Sequence, residues 1–309
     1  MPSTTRQRRR GGAAPRGRTG LRLLLTFALT AFGLVATGAP AQANEYYNSI
    51  TTASAANRTW MAGVPNGTSL ARMSIPGTHD SLALCGSRPG GSGPCEAIST
   101  SITRTQEPHG YSAETLTTQL DAGIRSIDIR VRVDWGKEGL AFTVHHGAMY
   151  QYANFTDVLA KSRDFLSAHP KETILLNLKA ECTGETLSCK DADGFATDTW
   201  RKKVFDSYLQ GRAYTGEGER WKPATAWQDL FWGPSVTGRA QADTPSLGEV
   251  RGKIVLLGFR GTGGGIYDGY GVRQLYPAGG SYAEYVQDEY EVPSISHIAE
   301  KWEKVRVAS

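Results

Sequence analysis

The sequence predicts an α/β fold built around a parallel sheet or barrel. Strand-like and helix-like segments alternate along the chain, as they do in folds of this class. Two of the strand-like segments, Thr173–Lys179 and Arg251–Gly258, are almost continuously apolar, which is typical of buried parallel strands. Polar side chains stand where these segments end, and the carboxyl ends of the strands carry the active site in an α/β barrel.

The pattern predicts a series of strands and helices. Pro76-Gly77 ends the first strand, and β-branched alternation marks the second. The expected strands are Leu70–Ile75, Ile124–Val133, Ala141–His145, Thr173–Lys179, Arg251–Gly258 and Tyr282–Asp288. Apolar residues at helical spacing predict helices at Phe155–Ala168, Phe195–Gln210 and Pro293–Val307. The glycine-rich stretch Gly261–Gly271 lacks the Lys-Ser/Thr pair of a phosphate loop and is expected to form a flexible rim.

The first 43 residues have the composition of a secretory signal peptide. Seven arginines precede a short apolar stretch, Leu23–Ala36, and Ala41-Gln42-Ala43 supplies a small-residue cleavage pattern. The apolar stretch is short for a membrane span, and an uncleaved anchor is the alternative. We therefore expect a secreted, extracellular protein whose single catalytic domain occupies residues 44–309, exported by the Sec or the twin-arginine route.

Removal of this segment reverses the charge balance. The whole chain has 34 basic and 30 acidic residues, whereas residues 44–309 keep 27 basic residues against the same 30 acidic ones. The basic character therefore belongs to the leader, and it does not indicate a nucleic-acid partner.

The four cysteines predict two disulfides, because an even number of cysteines in an exported chain favours pairing. Proximity along the chain pairs Cys85 with Cys95 and Cys182 with Cys189. A zinc site is the alternative, but the spacing fits no common zinc pattern.

Candidate functional residues collect at the expected strand ends. His79 and Asp80 follow the first strand, and a histidine beside a carboxylate suits acid/base chemistry near neutral pH. A plain polar turn is the alternative interpretation of this pair. Later strand ends carry Arg130, His145, His146, Lys179, Asp288 and Tyr290. A rim that gathers imidazole, guanidinium, ammonium and carboxylate groups would handle an anionic substrate.

Six motifs in chain order carry a family resemblance. They are Leu70-Ala-Arg-Met-Ser-Ile-Pro-Gly-Thr-His-Asp-Ser81, Asp128-Ile129-Arg130, His145-His146-Gly147, Leu178-Lys179-Ala180-Glu181, Arg251-Gly-Lys-Ile-Val-Leu-Leu257 and Val286-Gln-Asp-Glu-Tyr-Glu-Val292. Together they resemble the bacterial phosphatidylinositol-specific phospholipases C. The resemblance implies an imperfect TIM-type barrel, acting as a monomer, that cleaves phosphatidylinositol in membranes on the diacylglycerol side. The inositol 2-hydroxyl attacks its own phosphate, and the resulting inositol 1,2-cyclic phosphate is slowly hydrolysed.

The resemblance implies roles for four residues. His79 would be the general base for the 2-hydroxyl, and His146 the general acid that protonates the diacylglycerol oxygen. Asp80 would orient His146 and hold it in its charged form. Arg130 would clamp the phosphate oxygens as negative charge shifts in the transition state.

The same resemblance implies a binding set for the inositol ring. Lys179, Asp288 and Tyr290 would bind its hydroxyls, helped by an arginine that follows the fifth strand. Arg260 is that arginine here, although it stands one position later than the family spacing. Asp128 would support the side chain of the phosphate-clamping arginine.

The resemblance also implies that no cofactor is needed. Related eukaryotic enzymes carry a carboxylate at the position of Arg130 and bind calcium there. A fixed positive charge at this position takes the place of the metal, since a hard cation needs several oxygen ligands. We therefore expect a metal-independent enzyme.

The chain departs from the family at its C-terminal end. Only 17 residues follow Val292, whereas the family continues with two more strand–helix units that carry the aspartate partner of the general base. An incomplete barrel is therefore expected. The chain is a truncated gene or partial sequence, a shorter variant, or an inactive remnant.

Two further functions compete with a phosphatidylinositol-cleaving lyase. One is a catalytically weak or inactive protein that binds inositol lipids with the same site. The other is a glycerophosphodiesterase-type barrel hydrolase, which needs a metal held by carboxylates. The glycine-flanked histidine motifs of that family are absent from this sequence.

Overall fold

The fold is a nine-stranded mixed sheet with helices, seen in a computed structural model that describes residues 55–83, 113–184, 189–216, 218, 220–273 and 294–308. The strands are β1 Gly77–Thr78, β2 Ser126–Trp135, β3 Leu140–His146, β4 Met149–Asn154, β5 Ile174–Ala180, β6 Arg212–Tyr214, β7 Trp221–Pro223, β8 Ile254–Arg260 and β9 Ile266–Gly271. The helices are α1 Ala55–Arg58, α2 Glu114–Ala122, α3 Phe155–Ala168, α4 Asp198–Gln210, α5 Leu247–Val250 and α6 Ile298–Ala308.

The parallel part of the sheet consists of β1, β2, β5 and β8. β2 pairs in parallel with β5 over Ser126–Val131, and β5 pairs in parallel with β8. The main strand order is β7-β6-β3-β2-β5-β8-β9, and no described strand closes this path into a ring. These strands confirm the predicted α/β fold with a parallel sheet.

The predicted parallel arrangement is wrong for the third strand, because β3 runs antiparallel to β2. Gly136–Gly139 is all that joins the two strands, and a parallel crossover needs a dozen or more residues. The short connection therefore forces a hairpin. β4, β6, β7 and β9, which the sequence did not predict, also pair antiparallel with their neighbours.

The predicted strand Leu70–Ile75 is wrong, because the first strand, β1, forms at Gly77–Thr78 instead. Leu70–Arg72 forms a 3₁₀ turn in which the Ser69 hydroxyl accepts a hydrogen bond from the Ala71 amide. Leu70 is buried in an apolar cluster, and its amide donates to the Pro245 carbonyl rather than to a strand partner. Pairing begins only at Gly77, so His79 still follows a strand directly.

The helices lie close to the predicted ones. α3 has the predicted bounds, and a capping box of Asn154 and Asp157 starts it. α4 begins later than predicted, because the Thr197 side chain accepts from the Trp200 amide and caps the helix there. α6 follows a 3₁₀ turn at Ile295–His297.

The glycine-rich stretch is only partly a loop, which corrects the predicted flexible rim. Its second half is β9, which pairs with β8. The intervening turn is closed by a hydrogen bond from the Gly261 amide to the Gly265 carbonyl and by one from Arg260 to the Gly264 carbonyl.

Two apolar clusters lie on opposite faces of the sheet. The larger contains Ile127, Ile129 and Leu178 together with residues of α3 and α4. The smaller contains Leu175 and Val255 with residues such as Met61, Leu70 and Leu247. Strand alternation puts Leu175 on the same face as Asn177 and Lys179, so the smaller cluster forms an apolar floor beneath polar side chains.

The predicted disulfide between Cys182 and Cys189 is present, and it closes a short loop after β5. The predicted Cys85–Cys95 pair, the leader 1–43 and the strand Tyr282–Asp288 lie outside the described residues. Among the helices that the structure describes, none has the length and apolar character to cross a membrane.

A fully buried ion pair ties the amino-terminal segment to the sheet. The Arg125 guanidinium lies 2.9 Å from the Glu172 carboxylate, and both side chains are 0% exposed. Glu172 also accepts from the Met61 and Ala62 amides, while Arg125 donates to the Arg58 and Leu120 carbonyls. Burial lowers the pKa of Arg125, and the carboxylate opposes this effect. The pair therefore joins the start of β2, the segment before β5 and residues 58–62.

Replacement of Glu172 by Gln is expected to destabilise the fold by about 3–5 kcal/mol, because the Arg125 charge would stay buried without its partner. Urea unfolding measures this loss. Glu303→Gln, which breaks the exposed pair of Glu303 with Arg306 on α6, serves as the control and should leave the midpoint unchanged. A Glu172→Gln midpoint equal to that of the control would contradict the assignment.

Candidate active site

The site forms along one edge of β2, at the point where the strand paired with that edge changes from β1 to β3. β1 pairs with Ser126 and Ile127, and β3 pairs with the same strand from Val131 onward. The chain that leaves β1 fills the gap between them. The Ser81 amide donates to the Asp128 carbonyl at 2.9 Å, and the Asp80 amide lies 3.2 Å from Asp128 Oδ2. The His79–Asp80 turn is therefore held against Asp128–Arg130.

A buried polar network supports this turn from below. Ser81 is fully buried, and its hydroxyl accepts from the Asp128 amide at 2.9 Å. Gln119 on α2 donates to the Ser81 carbonyl at 2.7 Å and accepts from the Thr78 hydroxyl at 2.6 Å. Because each of these groups would be costly to bury alone, the network fixes the backbone that carries His79 and Asp80.

Asp80 is the common partner of the site's charged groups. Its backbone has a φ of 43°, in the left-handed region that aspartate tolerates better than most residues. Its carboxylate forms a close ion pair with Arg130 Nε, and Oδ2 lies 3.4 Å from His79 Nε2 and 3.6 Å from His146 Nε2. Burial raises the pKa of Asp80, and this effect outweighs the attraction of Arg130 and the histidines.

Arg130 is surrounded by three carboxylates. Besides Asp80, its Nη2 lies 3.4 Å from Asp128 Oδ2 and its Nη1 lies 3.5 Å from Glu181 Oε2. Burial disfavours the arginine charge, but the carboxylates of Asp80, Asp128 and Glu181 outweigh it and raise the pKa of Arg130. The guanidinium is thus held charged at the centre of the site.

His79 is the exposed member of the group. Its side chain is 77% exposed, whereas those of Asp80 and Asp128 are almost fully buried. Its Nδ1 lies 3.5 Å from Asp128 Oδ2, and its Nε2 lies 3.4 Å from Arg130 Nη2. The ring therefore stands at the surface between a carboxylate and a guanidinium.

The two histidines that end β3 have different surroundings. His146 reaches Asp80, and the next residue, Gly147, donates its amide to Glu181 Oε1 at 2.9 Å. His145 is buried, and its ring centre lies 5.7 Å from that of Tyr150. Burial lowers the pKa of His145 to about 4, so this histidine is neutral near pH 7.

A row of three cations crosses the parallel strands. Arg130 of β2 is in register with Lys179 of β5, and Lys179 is in register with Arg260 of β8. Leu176 pairs with Leu256 but Asn177 pairs with Gly258, so Leu257 is an extra residue in β8. This bulge returns Arg260 to the row opposite Lys179.

Sequence reasoning missed Asn177 and Glu181. Asn177 lies two residues before Lys179 in β5, and Glu181 lies two residues after it, just beyond the strand. Because side chains two residues apart share a face of a strand, this spacing was the available signal. Gln119 lies on a helix far from the motifs, and no pattern in the sequence indicates its contact with Ser81.

One cluster of described residues has the composition of a metal site. Single ligand atoms of His79, Asp80 and Asp128 lie within 4.8 Å of one another. The Arg130 guanidinium contacts both of these carboxylates, so a cation there would face an existing positive charge.

Residues 97–217 match the family model described as phosphatidylinositol-specific phospholipase C, X domain. A relative named 1-phosphatidylinositol phosphodiesterase from Listeria monocytogenes is 29% identical over 248 residues. A relative of the same name from Staphylococcus aureus strain Newman is 28% identical over 212 residues. These matches support the resemblance of the chain to the phosphatidylinositol-specific phospholipases C.

The family relatives are longer than the part that this chain matches. The alignment with the Listeria relative covers 80% of this chain and 61% of that protein. The Staphylococcus alignment covers 69% of this chain and 54% of that protein. The chain thus spans between half and two thirds of the curated relatives it matches.

Two solved phosphatidylinositol-specific phospholipases C also match the chain. The Listeria monocytogenes structure has a TM-score of 0.48 and 24% identity, and the match covers 82% of this chain and 76% of that one. A Staphylococcus aureus double mutant has a TM-score of 0.45 and 25% identity, with coverage of 72% and 57%.

The candidate site is assembled from residues that lie on or directly after five strands, β1, β2, β3, β5 and β8. The segment that matches the family model includes Arg130, His146 and Lys179, while His79 and Arg260 lie outside it. Asp288 and Tyr290 lie outside the described residues.

Asp80 is expected to titrate above the ordinary range of aspartate, about 3.9, because burial disfavours its charge. A raised folded-state pKa stabilises the fold below the unfolded-state pKa, and this contribution is lost as the pH rises through the folded-state value. Carboxyl ¹³C NMR measures the titration, and the signal missing from Asp80→Asn identifies it. A midpoint below that of ordinary aspartate would contradict this expectation.

Proposed function

We propose that this protein is a secreted phosphatidylinositol-specific phospholipase C that releases diacylglycerol and forms inositol 1,2-cyclic phosphate. The observation that carries this proposal is the shared carboxylate of Asp80, which contacts Arg130, His79 and His146 at once. Two imidazoles and a guanidinium around one buried carboxylate can move two protons and stabilise a phosphorane-like charge in a single site. The names of the relatives and the leader composition of residues 1–43 support the substrate and the extracellular location.

His79 is the general base in this proposal. It is the most exposed group of the site, so a substrate hydroxyl can reach its ring. An imidazole is suited to accept the proton of the inositol 2-hydroxyl near neutral pH. Asp128 Oδ2, 3.5 Å from Nδ1, supplies a carboxylate that orients the ring.

Arg130 stabilises the transition state. The attack of the 2-hydroxyl places additional negative charge on the phosphate oxygens, and a planar guanidinium can meet two of them. Because Asp80, Asp128 and Glu181 already orient the guanidinium, little reorganisation is needed when that charge develops.

His146 is the general acid that protonates the leaving diacylglycerol oxygen. Asp80 Oδ2 lies 3.6 Å from its Nε2 and can orient the ring. The hydrogen bond from Gly147 to Glu181 holds the turn that follows this histidine. The leaving group thus departs as an alcohol, and the proton taken by His79 remains available for hydrolysis of the cyclic product.

The inositol ring would lie over the row formed by Lys179 and Arg260. These cations share a register with Arg130, so hydroxyl contacts and phosphate contacts would fall on adjacent strands. Asp288 and Tyr290 are proposed to complete the ring contacts. We also propose that Arg130 supplies the positive charge that a metal would bring, so catalysis needs no cation.

The purified chain is expected to form inositol 1,2-cyclic phosphate from phosphatidylinositol vesicles in the presence of EDTA. His79→Ala and His146→Ala should each lower kcat by at least about 100-fold, because each removes a proton-transfer group. Phosphorus NMR of the product measures the reaction. The exposed His297, replaced by Ala, is the matched control and should keep full activity.

Three other outcomes would contradict this proposal. Lipid binding without turnover would indicate an inositol-lipid-binding protein. Release of glycerol phosphate only with added metal would indicate a metal-dependent phosphodiesterase. Full activity in either histidine variant would refute the assignment of roles.

Arg130→Lys is expected to lower kcat by at least about 100-fold although the charge is kept, because an ammonium cannot make the paired contacts of a guanidinium. Steady-state kinetics on phosphatidylinositol vesicles measures the loss. Arg132→Lys is the matched control on the same face of β2, where Arg132 pairs with Asp134, and its activity should stay within about threefold. Equal activity of the two variants would refute the phosphate-clamping role.

A further inference from the structure

We propose that Asn177 is a positioning residue that links the inositol-binding side of the site to the proton-transfer side. This inference rests on the proposed function and adds a residue to it. Asn177 lies at the middle of β5, directly opposite Asp128 of β2 and Gly258 of β8. Its side chain shares the face of Lys179, over the apolar floor formed by the smaller cluster.

The side-chain amide of Asn177 bridges two charged groups of opposite sign. Its Nδ2 donates to Asp128 Oδ1 at 2.8 Å, and its Oδ1 accepts from Arg260 Nε at 3.1 Å. An ionised carboxylate only accepts and a guanidinium only donates, so a single orientation of the amide satisfies both partners. No charged side chain could serve both partners equally well.

The hydrogen bond from Asn177 leaves the two carboxylate oxygens of Asp128 with different partners. Oδ1 is engaged by Asn177, while Oδ2 faces the Asp80 amide, Arg130 and His79 at 3.2–3.5 Å. Rotation of the carboxylate would break both sets of contacts. Asn177 therefore fixes the direction from which Asp128 supports the general base and the phosphate clamp.

The bond to Arg260 fixes the other end of the chain of contacts. Arg260 Nε is held by Asn177 and Nη1 by the Gly264 carbonyl, so the guanidinium has a defined orientation beside Lys179. The bulge at Leu257 is what brings Arg260 within reach of Asn177. A shift of the inositol-binding arginine is thereby transmitted to Asp128 through one amide.

Asn177→Asp tests the two bonds separately. The aspartate has nearly the same shape and keeps an acceptor for Arg260, but it repels Asp128 instead of donating to it. We expect kcat on phosphatidylinositol to fall by about 10- to 100-fold with KM within about threefold, as for misplaced catalytic groups. Asn177→Ala removes both bonds and should lower kcat to a similar extent while also raising KM.

The control for general damage to β5 is Thr173→Val. Thr173 is fully buried just before β5, and its hydroxyl donates to the Lys253 carbonyl, away from the site. Its variant should lose stability but keep kcat for the folded fraction. A double-mutant cycle of Asn177→Ala with Arg260→Ala should be non-additive, with the second substitution raising KM less than it does alone.

The outcomes separate this inference from the proposed function. If the wild-type chain is active and Asn177→Asp has the same kcat, the positioning role alone would be overturned. Variants of Asn177 and Thr173 that lose kcat equally would also overturn it, since the effect would then be structural. A wild-type chain that cleaves no phosphatidylinositol would overturn the proposed function and this inference with it.

Discussion

The attachment of the His79–Ser81 turn to the edge of β2 is the constraint on which the site depends. β1 is only two residues long, so strand pairing alone cannot hold the segment that follows it. The reciprocal hydrogen bonds between Ser81 and Asp128, supported by Gln119, do so instead. Without these bonds, Asp128 and Arg130 of β2 would not be held against His79 and Asp80. The local geometry of a short turn thus determines how two distant parts of the chain meet.

Charge balance is the second property of the site. Asp80, Asp128 and Glu181 lie among the side chains of Arg130 and Lys179, and all of these groups are mostly buried. The net charge is therefore small although each single charge is costly to bury. Burial raises the pKa of Asp80 even with Arg130 beside it, so the site holds a desolvated carboxylate at its centre.

The sequence predicted those parts of the fold that depend on local pattern. The continuous apolar runs located β5 and β8, and helical spacing located α3, because each signal lies within one segment. The direction of β3 and the position of β1 depend on partners elsewhere in the chain, which periodicity does not reveal. The same division applies to the site. The strand pattern placed Arg130 in the second strand and His146 at the end of the third, whereas the contact of Asp128 Oδ2 with His79 arises from a pairing between separate strands.

The bulge at Leu257 has a consequence for comparing this protein with its relatives. An insertion in a buried strand reverses the facing of every later residue unless the backbone absorbs it. Here the bulge at Leu257 absorbs the extra residue, so Arg260 lies directly opposite Lys179. Residues of this strand must therefore be compared by their pairing partners, because without the bulge Phe259, a residue of the larger apolar cluster, would lie opposite Lys179. An inserted residue that forms a bulge can accordingly lie inside a strand without reversing the faces of the residues that follow it.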